Sequence, residues 1–171
     1  MVVIITGASH TGKTALAQKL LETYHYPYLS EDHLKMGLIR SSYTDLTPLS
    51  SDEALTALLW PVVREIIRTA IENGQNLTVE GCYIPLSWAA DFSESELNGI
   101  RCFCLVMSRR YIARHFADIK TYASVIEQRL DDSDCTPESV TADNENMAAF
   151  AALPHVTRIL IDERYDPEIT L

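Results

Sequence analysis

Apolar residues in this chain fall into short runs that alternate with longer stretches of helical periodicity. The runs are rich in Val, Ile and Leu and lack the alternation of a strand with one solvent-exposed face, which is typical of strands buried on both faces. We therefore predict five strands, of which the one at 27–29 has the weaker pattern. They cover residues 2–6, 27–29, 76–80, 100–107 and 156–162.

Between these runs, apolar positions repeat with the spacing of amphipathic helices. The clearest repeat covers 55–71, where Pro61 is expected to kink the helix or to split off its first turn. Ser50 and Glu53 have the spacing of a capping box before it, and Asn73-Gly74 is a stop signal after it. Further helices are predicted over 13–24, 31–39, 109–121 with a continuation over 122–130, and 137–153, with shorter helical pieces over 85–91 and 93–97 and a polar loop over 41–51.

The order of these elements predicts the fold class. Strands alternate with helices from one end of the sequence to the other, which favours right-handed βαβ units and a mainly parallel sheet. We predict an α/β protein with three layers, in which a five-stranded sheet carries helices on both faces. No repeat, low-complexity segment or linker interrupts the pattern.

Length and charge narrow the classes of function. The chain has 171 residues and a formal net charge of −10, so we expect a single domain over 1–171. Negative charge opposes general binding to nucleic acid, whose phosphates require cations. No apolar run approaches the roughly 20 residues that span a bilayer, and the start lacks the features of a signal peptide. We expect a cytoplasmic monomer or homodimer that binds neither nucleic acid nor membranes.

The four cysteines do not have the spacing of a metal site. Cys102 and Cys104 lie two residues apart in a predicted strand, whereas Cys82 and Cys135 stand alone. The sequence has no CxxC pair and no matching His cluster, so we do not expect zinc. All four are expected to be small buried hydrophobic residues.

One glycine-rich stretch carries specific chemistry, because it follows a buried strand and opens a helix. The glycines let the main chain approach a phosphate closely, and the loop N–H groups and the helix start attract it. The lysine reaches the β- and γ-phosphates, and the hydroxyl binds Mg²⁺. His10 is expected only to fill the loop. The alternative is a glycine-rich turn with an exposed lysine. The stretch is Gly7-Ala8-Ser9-His10-Thr11-Gly12-Lys13-Thr14.

This motif, its position in the chain and the acidic residues that follow resemble the P-loop small-molecule kinases. These include kinases of the shikimate, gluconate and zeta-toxin types and proteins similar to adenylate kinase or 2-phosphoglycerate kinase. The resemblance implies a five-stranded parallel sheet, a mobile lid, here short and helical at about 108–135, and the use of ATP and Mg²⁺. It implies transfer of the γ-phosphoryl group to a small hydroxylated acceptor.

Acidic residues at the ends of two predicted strands, one just past its strand and one its last residue, match positions that contact the acceptor or the metal in similar kinases. Asp32 is expected to bind the acceptor and accept its proton; capping of the next helix is the alternative, and Glu31 is a rival for the role. Lys35, one turn later, could hold an anionic acceptor group or lie on the surface. Glu80 is expected to contact substrate, or Mg²⁺ through water beside Thr14, although it departs from the usual aspartate; a surface glutamate is the alternative.

Three arginines form the densest basic group in this acidic chain. Arg109, Arg110 and Arg114 follow the fourth predicted strand and resemble the lid arginines of these kinases. The resemblance implies that Arg110 and Arg114 stabilise the transferring phosphoryl group and that Arg109 binds the nucleotide; a solvated helix face is the alternative. The acidic run 131–134 lacks the glycine and distal glutamate of a calcium loop, so we interpret it as a solvated turn.

Other functions within this fold remain open. A GTPase would need an NKxD motif, which the sequence lacks. A nucleotide-binding module or ATPase without an acceptor, and a nucleoside monophosphate kinase, are the alternatives to a small-molecule kinase. We expect the segment 39–60, including Tyr43 and Trp60, to contribute to the acceptor pocket, but its sequence does not identify the acceptor.

Overall fold

A computed structural model describes residues 1–123, 126 and 135–171. Its five strands form one parallel sheet in the order β2-β3-β1-β4-β5, which confirms the predicted α/β class. Their bounds are β1 Val2–Gly7, β2 Tyr28–Ser30, β3 Leu77–Glu80, β4 Ile100–Met107 and β5 Val156–Ile161.

The helices also follow the predicted order. They are α1 Lys13–Tyr24, α2 Glu31–Arg40, α3 Asp52–Glu72, α4 Glu94–Leu97, α5 Arg109–Tyr122, α6 Pro137–Asn146 and α7 Ala148–Ala151, with a 3-10 turn at Trp88–Asp91. The predicted continuation of α5 falls largely on residues 124, 125 and 127–130, and the acidic run is 131–134; these positions lie outside the described residues.

Three local predictions about the helices need correction. The single helix expected over 137–153 is two helices, α6 and α7. Pro61 does not split α3, which continues through it. The residue that caps α3 is Ser51 and not Ser50, because the Ser51 hydroxyl accepts the Ala54 N–H at 3.3 Å; both serines precede the helix, so sequence spacing alone does not separate them.

Strand β1 is buried along its whole length and divides the core in two. Val3 and Ile5 pack with residues of α1, α5 and α6 on one face of the sheet. Val2 and Ile4 pack with residues of α3 and α7 on the other. Each such side chain contributes about 1.5–3 kcal/mol through burial, so the strand that leads into the glycine-rich loop is among the most firmly held parts of the fold.

The carboxyl end of β1 opens into a crevice. The chain leaves β1 towards β2 on one side, whereas it leaves the neighbouring β4 towards β5 on the other. Loops that diverge in this way from adjacent parallel strands leave a space at their carboxyl ends, where open α/β sheets bind ligands. The topology therefore places the glycine-rich loop at the position expected of a binding site.

The cysteines follow the prediction with one exception. Cys102, Cys104 and Cys135 are buried, but Cys82 is exposed. Cys82 lies directly after β3 on the turn that follows Gly81, at the same edge of the sheet as the crevice, which explains its access to solvent. No helix in the described part of the chain is long and apolar enough to cross a membrane.

Candidate active site

The glycine-rich loop has a backbone that requires glycine at its last position before the lysine. Gly12 has a φ of 80°, in the left-handed region that residues with a Cβ rarely adopt. A Cβ there would also lie only 1.8 Å from the hydroxyl oxygen of Tyr165. Gly12 is followed at once by α1, so the first N–H groups of the helix face the end of the loop.

The loop is fixed by its own residues and leaves the helix start uncapped. The Thr11 hydroxyl is buried and donates to the Ala8 carbonyl oxygen at 2.8 Å. The Lys13 ammonium donates to the same oxygen at 2.9 Å. The N-cap residue of α1 is Gly12, which has no side chain to cap the helix, and the first turn has no acidic residue. Unpaired N–H groups and a lysine at a helix N-terminus form a site for an anion such as phosphate.

The acid at the end of β3 lies beside the loop. Because β3 pairs directly with β1, Glu80 is brought next to the start of α1, and the Thr14 hydroxyl donates to its Oε2 atom at 3.2 Å. Burial raises the pKa of Glu80 above its ordinary value, although hydrogen bonding to Ser30 and Thr14 and the charge of Lys13 oppose the rise. The surface-glutamate interpretation is therefore wrong, since Glu80 is only 3% exposed.

Asp32 and Lys35 form an ion pair one turn apart on α2. The Lys35 ammonium also donates to the Tyr83 hydroxyl at 2.9 Å and lies 4.9 Å from the centre of that ring. Burial acts to lower the pKa of Lys35, but the hydrogen bonds to Asp32 and Tyr83 outweigh it and the pKa is raised. Lys35 is thus a held, half-buried cation and not the solvated surface lysine of the alternative interpretation.

Glu31 and Asp32 have different environments although they are adjacent. Glu31 is fully buried, and its Oε2 atom accepts the Tyr83 N–H at 2.8 Å. Burial, together with the neighbouring charges of Glu80 and Asp32, raises the pKa of Glu31 to about 8, against the lowering effect of that hydrogen bond. The Asp32 side chain is half exposed. Of the two rival acids, only Asp32 lines the cavity described next.

A cavity of about 560 Å³ lies between the glycine-rich loop, Asp32 and Glu80. It brings together seven of the residues singled out in the sequence. Gly7, Ala8 and Thr11 are buried, and Ala8 and Thr11 support the loop through the hydrogen bonds described above. The seven predicted residues that line the cavity are Ser9, His10, Gly12, Lys13, Thr14, Asp32 and Glu80.

The other side of the cavity contains aromatic residues that sequence reasoning missed. The rings of Tyr111 and His115 stack with centroids 4.6 Å apart. Tyr165, beyond β5, places its hydroxyl 3.4 Å from the Thr11 carbonyl oxygen and 3.3 Å from that of Gly12. The spacing of Tyr111 and His115, one helical turn apart, was a readable signal, whereas Tyr165 lies in a short polar tail without a motif.

The three predicted lid arginines do not line this cavity in the described part of the chain. Arg109 pairs with Glu145 of α6. Arg110 pairs with Asp162 at 2.5 Å and with Glu163 at 3.2 Å, beyond the end of β5. In a chain with an excess of acids, basic side chains readily find such partners. Arg114 is exposed on α5, and among the described residues the arginine that lines the cavity is Arg164.

Comparisons with known proteins extend these observations to the fold. No protein-family model matches the sequence, and no curated protein matches it either. Among solved structures, a gluconokinase from Sinorhizobium meliloti 1021 has a TM-score of 0.59 at 16% identity, with 96% of this chain and 84% of that chain covered. A sugar kinase from Janibacter sp. HTCC2649 has a TM-score of 0.54 at 16% identity, with 94% and 84% covered.

A third structure, a shikimate kinase from Bacteroides thetaiotaomicron, has a TM-score of 0.51 at 11% identity, with 95% of this chain and 86% of that chain covered. The similarity in all three cases extends over nearly the whole chain. It confirms the fold that the sequence resemblance implied: the protein has the fold of the P-loop small-molecule kinases.

Proposed function

We propose that the protein is an ATP- and Mg²⁺-dependent phosphotransferase that moves the γ-phosphoryl group to a hydroxyl of a small acceptor. The observation that carries this proposal is that Lys13, Thr14 and Asp32 line one cavity. The loop proposed to bind phosphate and the half-exposed Asp32 carboxylate can therefore contact the same bound molecules. The kinase fold of the three solved structures supports it.

Lys13 and the helix start would bind the phosphates of the nucleotide. The Lys13 ammonium already points back along the loop, where it donates to the Ala8 carbonyl oxygen, and phosphate oxygens would replace that acceptor. The uncapped N–H groups at the start of α1 supply further donors. Fixed donors of this kind stabilise the charge that spreads over a phosphoryl group during transfer.

Thr14 and Glu80 are the residues that would hold Mg²⁺. Their oxygens fit this ion, because Mg²⁺ prefers oxygen ligands and usually keeps several waters, so it needs few protein ligands. The Thr14 hydroxyl and a Glu80 carboxylate oxygen lie 3.2 Å apart. When bound, the ion would neutralise charge on the β- and γ-phosphates. The hydrogen bond between Thr14 and Glu80 holds both oxygens at the loop, so the protein would present them without rearrangement.

Asp32 would orient the acceptor and accept its proton. In the transfer, the acceptor oxygen forms a bond to the γ-phosphorus, the bond from that phosphorus to the β,γ-bridging oxygen breaks, and the acceptor proton passes to an Asp32 oxygen. Lys35 would hold the carboxylate in place through their ion pair. Because Lys35 is committed to Asp32 and Tyr83, we assign it to positioning Asp32 more readily than to binding an anionic acceptor.

The lid role of Arg109, Arg110 and Arg114 stays part of the proposal. It requires Arg110 to exchange Asp162 and Glu163 for phosphate oxygens when nucleotide is present. Lid segments of kinases close on their substrates, which brings such groups to the reaction centre. Tyr165 and the Tyr111–His115 pair, which line the cavity, are proposed to contact the nucleotide beyond its phosphates.

A screen of acceptors tests the proposal. Calorimetry should first show that the protein binds Mg·ATP and that Lys13→Met abolishes this binding. ATP consumption is then measured with gluconate, shikimate, neutral sugars, amino sugars, nucleosides and nucleoside monophosphates. We expect one chemical class to raise turnover above the rate without acceptor, and Asp32→Asn to remove the increase. Absence of Mg·ATP binding contradicts the proposal; binding without stimulation by any class favours a module without an acceptor, and stimulation by monophosphates alone favours a nucleotide kinase.

A further inference from the structure

The start of α2 and the turn after β3 are held together by a buried carboxyl group. Glu31 is fully buried, and its Oε2 atom accepts the Tyr83 N–H at 2.8 Å. A Cβ added to Gly81 would lie 2.1 Å from the same oxygen and 2.6 Å from the Glu31 Cβ. The turn at Gly81–Tyr83 can therefore lie this close to α2 only because residue 81 has no side chain.

The contact between Glu31 and the Gly81–Tyr83 turn is connected to the cavity through further side chains. Tyr83, whose N–H is held by Glu31, is only 5% exposed and packs with Leu55 and Leu59 of α3. Its hydroxyl accepts a hydrogen bond from Lys35 at 2.9 Å. Lys35 in turn pairs with Asp32. A continuous set of contacts thus runs from the Glu31 carboxyl group, outside the cavity, to the Asp32 carboxylate that lines it.

We propose that Glu31 is a positioning residue, which fixes Tyr83 and, through Lys35, sets the orientation of Asp32 towards the acceptor. This inference rests on the proposed function for its last step, because Asp32 must be the acceptor-binding acid. Glu31 itself is not a catalytic residue: it is fully buried, and it does not line the cavity.

The neighbours of Glu31 are consistent with a structural and not a chemical task. The charged groups that act on it are Glu80 at the end of β3, Asp32 beside it on α2, and Lys13 at the start of α1. Its second oxygen, Oε1, is buried and has no hydrogen-bond partner among the residues that the structure describes. A group used to hold one backbone N–H needs a single good acceptor atom, and a neutral amide oxygen serves that purpose as well as a carboxylate.

The first test uses amide hydrogen exchange at Tyr83, followed by NMR. Glu31→Ala removes the acceptor of this N–H and should speed exchange about three- to tenfold, the range expected from one lost hydrogen bond. Glu31→Gln keeps an acceptor oxygen and should restore most of the protection. The amides of β1 serve as the internal control, since a general loss of stability would speed their exchange too. Glu53→Ala, at an exposed glutamate of α3, is the matched control variant.

The second test separates positioning from binding. Glu31→Ala and Tyr83→Phe should both lower kcat for the acceptor found in the screen, by tenfold or more, because misplaced catalytic groups cost about this much or more. The affinity for Mg·ATP measured by calorimetry should change less than about twofold, because neither residue belongs to the phosphate loop. Tyr83→Phe should leave exchange at its own amide unchanged, since the Glu31 bond is to the backbone.

The outcomes distinguish this inference from the proposed function. If Tyr83 exchanges at the wild-type rate in Glu31→Ala, or if Glu31→Gln behaves like Glu31→Ala, the inference is overturned whatever the enzyme does. A fall in Mg·ATP affinity equal to the fall in kcat also overturns it. If the wild-type protein binds no Mg·ATP, the proposed function fails, and with it the step in which Asp32 is oriented towards the acceptor. The exchange result then decides only whether Glu31 holds Tyr83. Should Glu31→Ala not fold, Tyr83→Phe and Glu31→Gln carry the test.

Discussion

The hydroxyl of Tyr165 donates a hydrogen bond to the carbonyl oxygen of Gly12 at 3.3 Å, although the two residues are 153 positions apart. The contact places the segment after the last strand directly on the phosphate loop. It also occupies the space that a side chain at position 12 would need. Gly12 is therefore constrained twice, by its positive φ and by Tyr165.

Substitution of Gly12 by alanine should weaken Mg·ATP binding at least about tenfold. The left-handed conformation alone costs a non-glycine residue about 1–2 kcal/mol, and the Cβ would lie 1.8 Å from the Tyr165 hydroxyl oxygen. Isothermal titration calorimetry measures the effect. In the double variant Gly12→Ala/Tyr165→Ala, removal of the clash should restore part of the affinity; wild-type affinity in Gly12→Ala would show that the loop binds no phosphate in this conformation.

Glu80→Gln should weaken the binding of Mg²⁺ in the presence of ATP about 10–100-fold, as is usual when an outer ligand of a metal is lost. The amide can still accept the Thr14 hydroxyl, so the local fold is kept and only the charge is removed. A titration of Mg²⁺ at fixed ATP measures this effect. ATP binding without metal is the internal control and should not weaken; an unchanged Mg²⁺ requirement would exclude Glu80 from the metal site.

Asp32→Asn should lower acceptor-dependent turnover about 10²–10⁴-fold, the usual contribution of a general base. Affinity for Mg·ATP should stay nearly the same, because Asp32 is not part of the phosphate loop. Asparagine also retains an oxygen that accepts from Lys35, so their hydrogen bond survives. Steady-state kinetics with the identified acceptor checks the prediction, and full activity would remove Asp32 from the mechanism.

Glu31 should make the folded protein less stable as the pH rises. Its pKa is about 8 in the folded state against an ordinary 4.5, so the native protein holds a proton that the unfolded chain has released. Its contribution to stability is therefore greatest below pH 4.5 and is lost as the pH rises through 8. Since each tenfold change in proton affinity corresponds to about 1.4 kcal/mol, the loss should amount to a few kcal/mol.

Urea unfolding between pH 5 and pH 8 measures this effect by comparison with Glu31→Gln. The amide does not titrate, so the stability of the variant should fall less over this range than that of the wild type. Parallel curves for the two proteins would show that Glu31 ionises normally in the folded state.

Arg114→Ala should lower turnover about tenfold or more if α5 closes on the nucleotide, because a fixed cation at the transferring phosphoryl group contributes on that order. The effects of Arg109→Ala and Arg110→Ala on turnover are harder to assign to the lid, because each substitution also removes an ion pair with an acid. Arg101→Ala is the control: Arg101 lies on β4 and donates to the Thr170 carbonyl oxygen. Equal effects of all four substitutions on kcat would argue against a lid.

Features that depend on local order could be predicted from the sequence. The runs around Val3 and Leu105 identified buried strands, and the motif from Gly7 to Thr14 identified the loop between β1 and α1. The same logic placed Asp32 and Glu80 at the edge of the sheet, because Asp32 follows one predicted strand, Glu80 ends another, and parallel strands share their carboxyl edge.

Features that depend on distant contacts could not be predicted. Tyr165 carries no motif, and its contact with the glycine-rich loop joins residues that are 153 positions apart in the sequence. Glu31 and Asp32 look equivalent in sequence, and the contact of Glu31 with the turn at Gly81–Tyr83 becomes visible only in the fold. The acids that pair with Arg109 and Arg110 lie 36 and 52 residues away, so the charge available to the cavity cannot be counted from composition.

The complete burial of β1 has a consequence for how ligands can be found. The loop proposed to bind phosphate directly follows this buried strand. A ligand that binds there only in the folded state shifts the folding equilibrium of the whole core. A compound present at 100 times its dissociation constant adds about 2.7 kcal/mol to the folded state. A shift in melting temperature therefore reports binding to the folded protein, and nucleotides or fragments can be compared by heating before any turnover assay exists.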